Sequence, residues 1–281
     1  MIVLGVTADE RELDEWAVVL AAEGIPYRLE QTPASMRLLV AATDAARATA
    51  ALDAYGRDER KHPSPPLPAA EYGPTLAGVA MALVLVACYL TTGPRGAEGV
   101  WFRAGSADAG RIRAGELWRA VTALTLHADA SHLIGNLAGT VVFVSAVARA
   151  LGPGLASVLV LLAGAAGNIA NALLHAGNHR SVGASTAVFG AVGILGGLAA
   201  VRRQRARRRW VPIAGSLALL AMLGSDVHAD LGAHALGLLL GLVLGLGAGT
   251  ALSRPPVAAL QWSLALAAGA AVVVSWTTAL G

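Results

Sequence analysis

The chain has 281 residues, 56% hydrophobic and only 14% charged, against about 25% charged in ordinary soluble domains, which excludes a purely water-soluble globule. Residues 1–62 hold eleven acids and seven bases, while the remainder holds seven acids and fourteen bases. The basic balance therefore belongs to the apolar part, where it reflects orientation in a bilayer rather than nucleic-acid binding.

The first segment reads as a small soluble module. Ile2–Val6 is a short strand candidate, and Ala8 to Gly24 has helical spacing through Leu13, Trp16, Ala17 and Leu20, with Gly24 as a stop. Ile25–Glu30 and Met36–Ala41 read as strands, and Thr43 to Gly56 as a second helix with Thr43 or Asp44 as its cap. The order βαββα predicts an α+β domain over 1–62, with no basic n-region or cleavable apolar core of a signal peptide at its start. A Pro-rich linker over 63–73 follows, stiff and extended. Cys88 is the single cysteine, so no intrachain disulfide is available.

Hydrophobic runs of spanning length come next, about 20 residues being enough for the hydrocarbon core. They predict spans at roughly 74–93, 132–148, 153–174, 183–201, 211–225, 231–252 and 257–279, the fifth being short enough to tilt or re-enter. Arg202 to Arg209 carries six arginines in eight residues, and the positive-inside rule makes that loop cytoplasmic. Counting crossings back from it predicts a cytoplasmic N-terminus, with the C-terminus on the opposite side. Arg149 and Arg254 fall on the same side as the arginine cluster. Topology and anionic lipid account for that cluster more simply than RNA binding does.

Polar side chains inside spans are costly and each needs a reason. Ser185 and His234 both sit near the outer ends of their spans, Ser185 five residues after Arg180 and His234 four after Asp230. Continuous helix from those anchors would put both roughly 6–8 Å inward, the matched depth a Ser–His pair requires. Gly237, Gly241 and Gly245 stripe the face behind His234, while Gly183, Ala187, Gly190 and Gly193 supply small surfaces on the other span, so the two helices can pack closely. His132 and Asn136, four apart on one face of the second span, offer N–H donors suited to an oxyanion. Each feature alone has a bland explanation: helix packing for the glycines and Ser185, a buried hydrogen bond for His234, span capping for His132 and Asn136.

Taken in order, Glu116-Leu117-Trp118-Arg119, then His127 and His132-Leu133-Ile134-Gly135-Asn136, then Gly183-Ala184-Ser185, then Ala233-His234 with Gly237 and Gly241, make residues 74–252 resemble the rhomboid family of intramembrane serine proteases. The resemblance implies an all-α polytopic membrane bundle: a rhomboid-like six-helix core over 74–252, an additional C-terminal span over 253–281 and the small N-terminal α+β cytoplasmic domain. It implies Ser185 as nucleophile, His234 as its general base, and His132, Asn136 and the Ser185 backbone N–H as the oxyanion hole. Trp118 and Arg119 would belong to a membrane-embedded first loop of structural role, and Gly183, Phe189, Gly237 and Gly241 would support the site. Thr186 and Phe189 depart from the family pattern, standing where many members have glycine and tyrosine.

The expected activity is hydrolysis of peptide bonds in or next to transmembrane segments of other proteins, without cofactor or metal, at a multi-pass cell-membrane protein whose site opens to the extracytoplasmic side. A polar cavity lined by His127, His132 and Asn136 is expected to admit water. Asp230 reads as the cap of its span, with orientation of His234 as a third catalytic member the alternative. The competing functional reading is an inactive rhomboid-like protein that binds membrane-protein clients. A metal or haem site at His127, His132, His228 and His234 is disfavoured, because their spacing matches no zinc motif. Asn168 and Asn171 are assigned interhelical hydrogen bonds and His175 an interfacial place. Substrate identity, gating and oligomeric state are not encoded in any motif.

Overall fold

The computed structural model describes residues 1–7, 9–31, 35–61, 70–95, 99–175, 177–202 and 230–281. The expected fifth span at 211–225, the arginines from Arg203 to Arg209, His228 and most of the linker lie outside the described residues. The chain divides into two units, Met1–Leu67 and Pro68–Gly281.

In the first unit, β1 (Ile2–Thr7), α1 (Glu10–Ala22), β2 (Tyr27–Gln31), β3 (Met36–Val40) and α2 (Ala45–Lys61) follow in order. The antiparallel sheet has the order β1-β3-β2, so β3 is central. Alternation along β3 turns Leu38 and Val40 inward, onto Leu13, Leu20, Ile25 and Ala48. Gly5 leaves room for the Trp16 ring, which a Cβ there would meet at 2.6 Å.

The second unit is almost wholly helical. Its long elements are α3 (Ala77–Thr92), α7 (Ala130–Leu151), α8 (Pro153–Leu174), α9 (Ser185–Val201), α10 (Leu231–Ala251) and α11 (Ala258–Leu280). Four of them, α7, α8, α10 and α11, are long and apolar enough to cross a membrane, while α3 and α9 are apolar but shorter. Between α3 and α7 the chain forms the short helices α4 (Val100–Gly105), α5 (Ala109–Arg113) and α6 (Arg119–Thr122), and β4 (Ala107–Asp108) pairs with β5 (Arg180–Ser181).

Helix α9 is buried along nearly its whole length and forms the centre of the bundle. By contrast α3, α10 and α11 expose Leu83, Val84, Leu239, Val243, Leu266 and Val273, a surface suited to lipid rather than water. Helices α9 and α10 meet through glycine: Cβ atoms added at Gly193, Gly197, Gly237, Gly241 or Gly245 would strike the partner backbone. The small face of α9 is nevertheless shared. Ala187 and Gly190 turn to Gly164 and Ala163 of α8, a neighbour the sequence pattern does not identify.

Helix α11 is fastened to the bundle at both ends. The Gln261 side chain, 2% exposed, accepts from the N–H groups of Gly154 and Leu155 at 2.8 and 3.0 Å and donates to the Leu151 carbonyl at 2.8 Å. It thereby satisfies orphan groups where α7 ends and α8 begins. Near the other end Trp276 Nε1 donates to Thr125 Oγ1 at 3.0 Å, and its ring meets Trp101 edge-on. Neither Gln261 nor Trp276 belongs to a motif, and a glutamine in an apolar run was the available signal.

Candidate active site

Ser185 is the first residue of α9, not a residue one turn inside a longer helix. Arg180–Ser181 is strand, and Gly183 then turns the chain at φ +125°, a backbone conformation that favours glycine. Depth counted at a helical rise from Arg180 therefore does not hold. The chain instead reaches Ser185 through the turn, held by the Gly183 N–H on the Ala123 carbonyl at 2.9 Å. As the first helical residue, Ser185 has a backbone N–H with no acceptor inside its own helix.

His234 lies on the first turn of α10, whose N-terminus is capped by Asp230 accepting from the Ala233 N–H at 3.0 Å. The close glycine-lined approach of α9 and α10 brings His234 Nε2 to 2.8 Å from Ser185 Oγ, both side chains being about 95% buried. The Phe189 ring stacks on the imidazole at 4.6 Å and 17°, fixing its plane. His234 Nδ1 is buried without a hydrogen-bond partner. Asp230 is occupied elsewhere: its second oxygen accepts from Asn171 Nδ2 at 2.6 Å and lies 2.7 Å from His179 Nε2. The carboxylate is a cap, as its place before the helix predicts, and makes no side-chain bond to His234.

Thr186 adds bulk beside the serine, and two glycines absorb it. Its methyl group packs on Gly167 of α8, and its carbonyl faces Gly237. Gly241 lies one layer further along, against Gly190.

His132 and Asn136 project from the first turns of α7, which Asp129 caps through the His132 N–H at 2.8 Å. The Ala128 N–H donates to His132 Nδ1 at 3.4 Å, so a neutral ring carries its proton on Nε2. That edge faces Gly183: a Cβ there would lie 2.7 Å from His132 Nε2 and 3.7 Å from Asn136 Nδ2. Asn136 Nδ2 donates one hydrogen to the His132 carbonyl at 2.9 Å, leaving the other. Both donors therefore lie beside the Gly183 turn, two residues before Ser185.

Of the three residues expected to line a water-admitting cavity, His127 and Asn136 have no solvent exposure, while His132 is partly exposed. Burial and the neighbouring His132 push the His127 imidazole down to about 4, with the Thr125 carbonyl a weaker opposing influence. Trp118 is half-buried, its Nε1 without a partner. Arg119 is buried and organises the loop: it pairs with Glu116 at 2.6 Å and donates to the carbonyls of Arg103 and Ser106. Asn168 Nδ2 ties α8 to the same loop through the Ala120 carbonyl at 2.9 Å.

The arrangement can perform acyl transfer: a hydroxyl on a base, with donors beside it. Residues 114–250 match the family model described as Rhomboid domain, a stretch that contains Trp118, Arg119, His132, Asn136, Ser185 and His234. A protein of Bacillus subtilis (strain 168) named "Putative rhomboid protease YdcA" is 30% identical over 132 residues, covering 46% of this chain and 66% of that protein. The chain thus spans just under two thirds of that relative's length.

Proposed function

The chain belongs to the rhomboid family, and from that premise we propose that it is an intramembrane serine endopeptidase. It hydrolyses peptide bonds in or next to transmembrane segments of other membrane proteins through a Ser185–His234 dyad. The observation that carries this reading is the 2.8 Å contact between Ser185 Oγ and His234 Nε2 in a buried site.

Ser185 Oγ attacks the substrate carbonyl carbon while its proton passes to His234 Nε2. The developing oxyanion accepts from His132 Nε2–H, the remaining Asn136 N–H and the Ser185 backbone N–H. Collapse breaks the C–N bond, and His234 gives its proton to the leaving amine. A water deprotonated by His234 then attacks the acyl-enzyme, and Ser185 recovers its proton as the acid product leaves. The substrate helix must unwind locally, because helical hydrogen bonds shield its carbonyls. Small or helix-breaking residues are therefore expected near the cut.

The proposed organisation is a cytoplasmic domain over 1–62, a linker over 63–73, a six-span core over 74–252 and a seventh span over 253–281. The arginines from Arg202 to Arg209 then lie on the cytoplasmic side and the Ser185 end of α9 on the extracytoplasmic side. Mixed burial of the bundle, with its apolar outer faces, supports residence in the cell membrane.

The test is covalent labelling of the purified full-length protein by a fluorophosphonate, native against Ser185→Ala and His234→Ala. Labelling of the native protein alone is the expected result. Labelling that persists in Ser185→Ala removes Ser185 as nucleophile, and a folded native protein that never labels supports the inactive, client-binding relative instead.

A further inference from the structure

A second polar cluster takes no part in the proposed hydrolysis. His175 follows α8, His179 precedes β5, and Asp230 caps α10. Distant in sequence, they bring one ligand atom each to within 4.8 Å of one another, the group among the described residues that meets this condition. The two imidazoles stack at 4.1 Å and 21°, and Asp230 Oδ2 lies 2.7 Å from His179 Nε2.

The surroundings match what a metal-binding imidazole needs. His175 Nδ1 is 3.0 Å from the Asn171 carbonyl. A carbonyl accepts only, so Nδ1 carries the proton and Nε2 keeps a free lone pair, the usual outer-shell device that orients a ligating histidine. Asn171 is 2% exposed and its Oδ1 has no hydrogen-bond partner. The absent side chain of Gly232 lets that oxygen pack close, since a Cβ there would lie 2.6 Å from Asn171 Oδ1, 3.2 Å from His175 Cε1 and 3.4 Å from Asp230 Oδ1. The amide packs directly on the cluster, its Nδ2 donating to Asp230 Oδ2 at 2.6 Å and lying 3.4 Å from His179 Nε2.

We propose that His175, His179 and Asp230 form a binding site for a divalent transition-metal ion, zinc by the nature of its ligands. Two imidazole nitrogens and one carboxylate oxygen are an ordinary zinc set, with a fourth position for water. Zinc–ligand bonds of about 2.0–2.2 Å require the donor atoms to draw closer by rotation of the stacked rings. Ligation through His179 Nε2 moves the proton of the neutral ring to Nδ1, and the metal takes the place of that proton and of the Asn171 N–H on Asp230 Oδ2. The ion ties together two segments that each lead to the dyad. One runs from His179 through the Gly183 turn to Ser185, and the other from Asp230 into the helix of His234.

The test uses full-length protein in detergent, stripped with EDTA and titrated with cobalt(II), then with zinc as competitor. The native protein is expected to show one saturable set of visible cobalt bands, lost on adding one equivalent of zinc, and an unfolding temperature several degrees higher in zinc than in EDTA. His175→Ala and His179→Ala should each lose the bands and the shift. His175→Gln and His179→Gln serve the same purpose if an alanine variant fails to fold. Absence of saturable binding to the folded native protein overturns the site, as does binding that survives either histidine substitution. The readout is independent of Ser185, so a failed metal site and a failed protease assignment are separately visible.

Discussion

His234 presents Nε2 to Ser185 and buries Nδ1 without a partner, so its orientation comes from packing. The stacked Phe189 ring and the helical bond from the His234 N–H to the Asp230 carbonyl supply it. The Asp230 side chain is a cap that asparagine can also provide. Asp230→Asn, assayed in EDTA on a transmembrane substrate, is therefore expected to keep turnover within about tenfold of native, far from the roughly 10⁴-fold loss that a true triad acid would give. A loss of several orders with the fold intact would restore Asp230 as a catalytic partner. His127 makes a different prediction. Its folded value near 4 lies below an ordinary histidine value of about 6.5, so the unfolded chain takes up the proton first as pH falls. Stability is then full above about pH 6.5 and declines towards pH 4, with a slope of up to about 1.4 kcal/mol per unit. His127→Leu should flatten that acid limb in thermal unfolding. An unchanged acid limb would assign the decline to other groups.

At the scale of elements, the site depends on how closely α9 and α10 approach. Gly237 faces the Thr186 carbonyl one residue from the nucleophile, whereas Gly245 makes the equivalent contact with Ile194, far along the helix. Gly237→Val and Gly245→Val should both destabilise, by about 1–3 kcal/mol for overpacking. Gly237→Val alone should also abolish fluorophosphonate labelling of the folded fraction, since pushing the helices apart there opens the 2.8 Å contact. Equal labelling by the two variants would detach helix approach from the chemistry. The glycine stripe behind His234 was legible because a spacing of three and four residues lines one helix face. The start of α9 was not, because Ser181 to Ala184 are uncharged and read as more span. What ends the helix there is the pairing of Arg180–Ser181 with Ala107–Asp108, reinforced by Arg180 on Asp108 at 2.8 Å, 72 residues away in sequence. The cluster of His175, His179 and Asp230 escaped for the same reason: its members meet only when the ends of α8 and α10 come together. Ser185 and His234 could be paired as the polar residues at the outer ends of two apolar runs, but the turn that delivers Ser185 could not be read.

For the helical unit as a whole, α11 has two attachments with different consequences. Gln261 satisfies two N–H groups and one carbonyl where α7 passes into α8, remote from the serine. Trp276 instead holds Thr125, two residues from Ala123, whose carbonyl anchors the Gly183 N–H and so the turn into Ser185. Gln261→Met keeps the volume but strands two buried groups, the Gly154 N–H and the Leu151 carbonyl, each worth about 1–3 kcal/mol when left unsatisfied, and the part-buried Leu155 N–H. It should lower the unfolding temperature markedly while leaving the labelling rate of the folded protein near native. Trp276→Ala should lower both, because the first loop loses its support and the Gly183 turn loses a fixed anchor. Thermal unfolding and timed fluorophosphonate labelling on the same preparations separate the two effects. If Gln261→Met slowed labelling as much as Trp276→Ala, α11 would act on the site through bundle stability alone, with no specific line from Trp276 through Thr125 and Ala123 to Ser185.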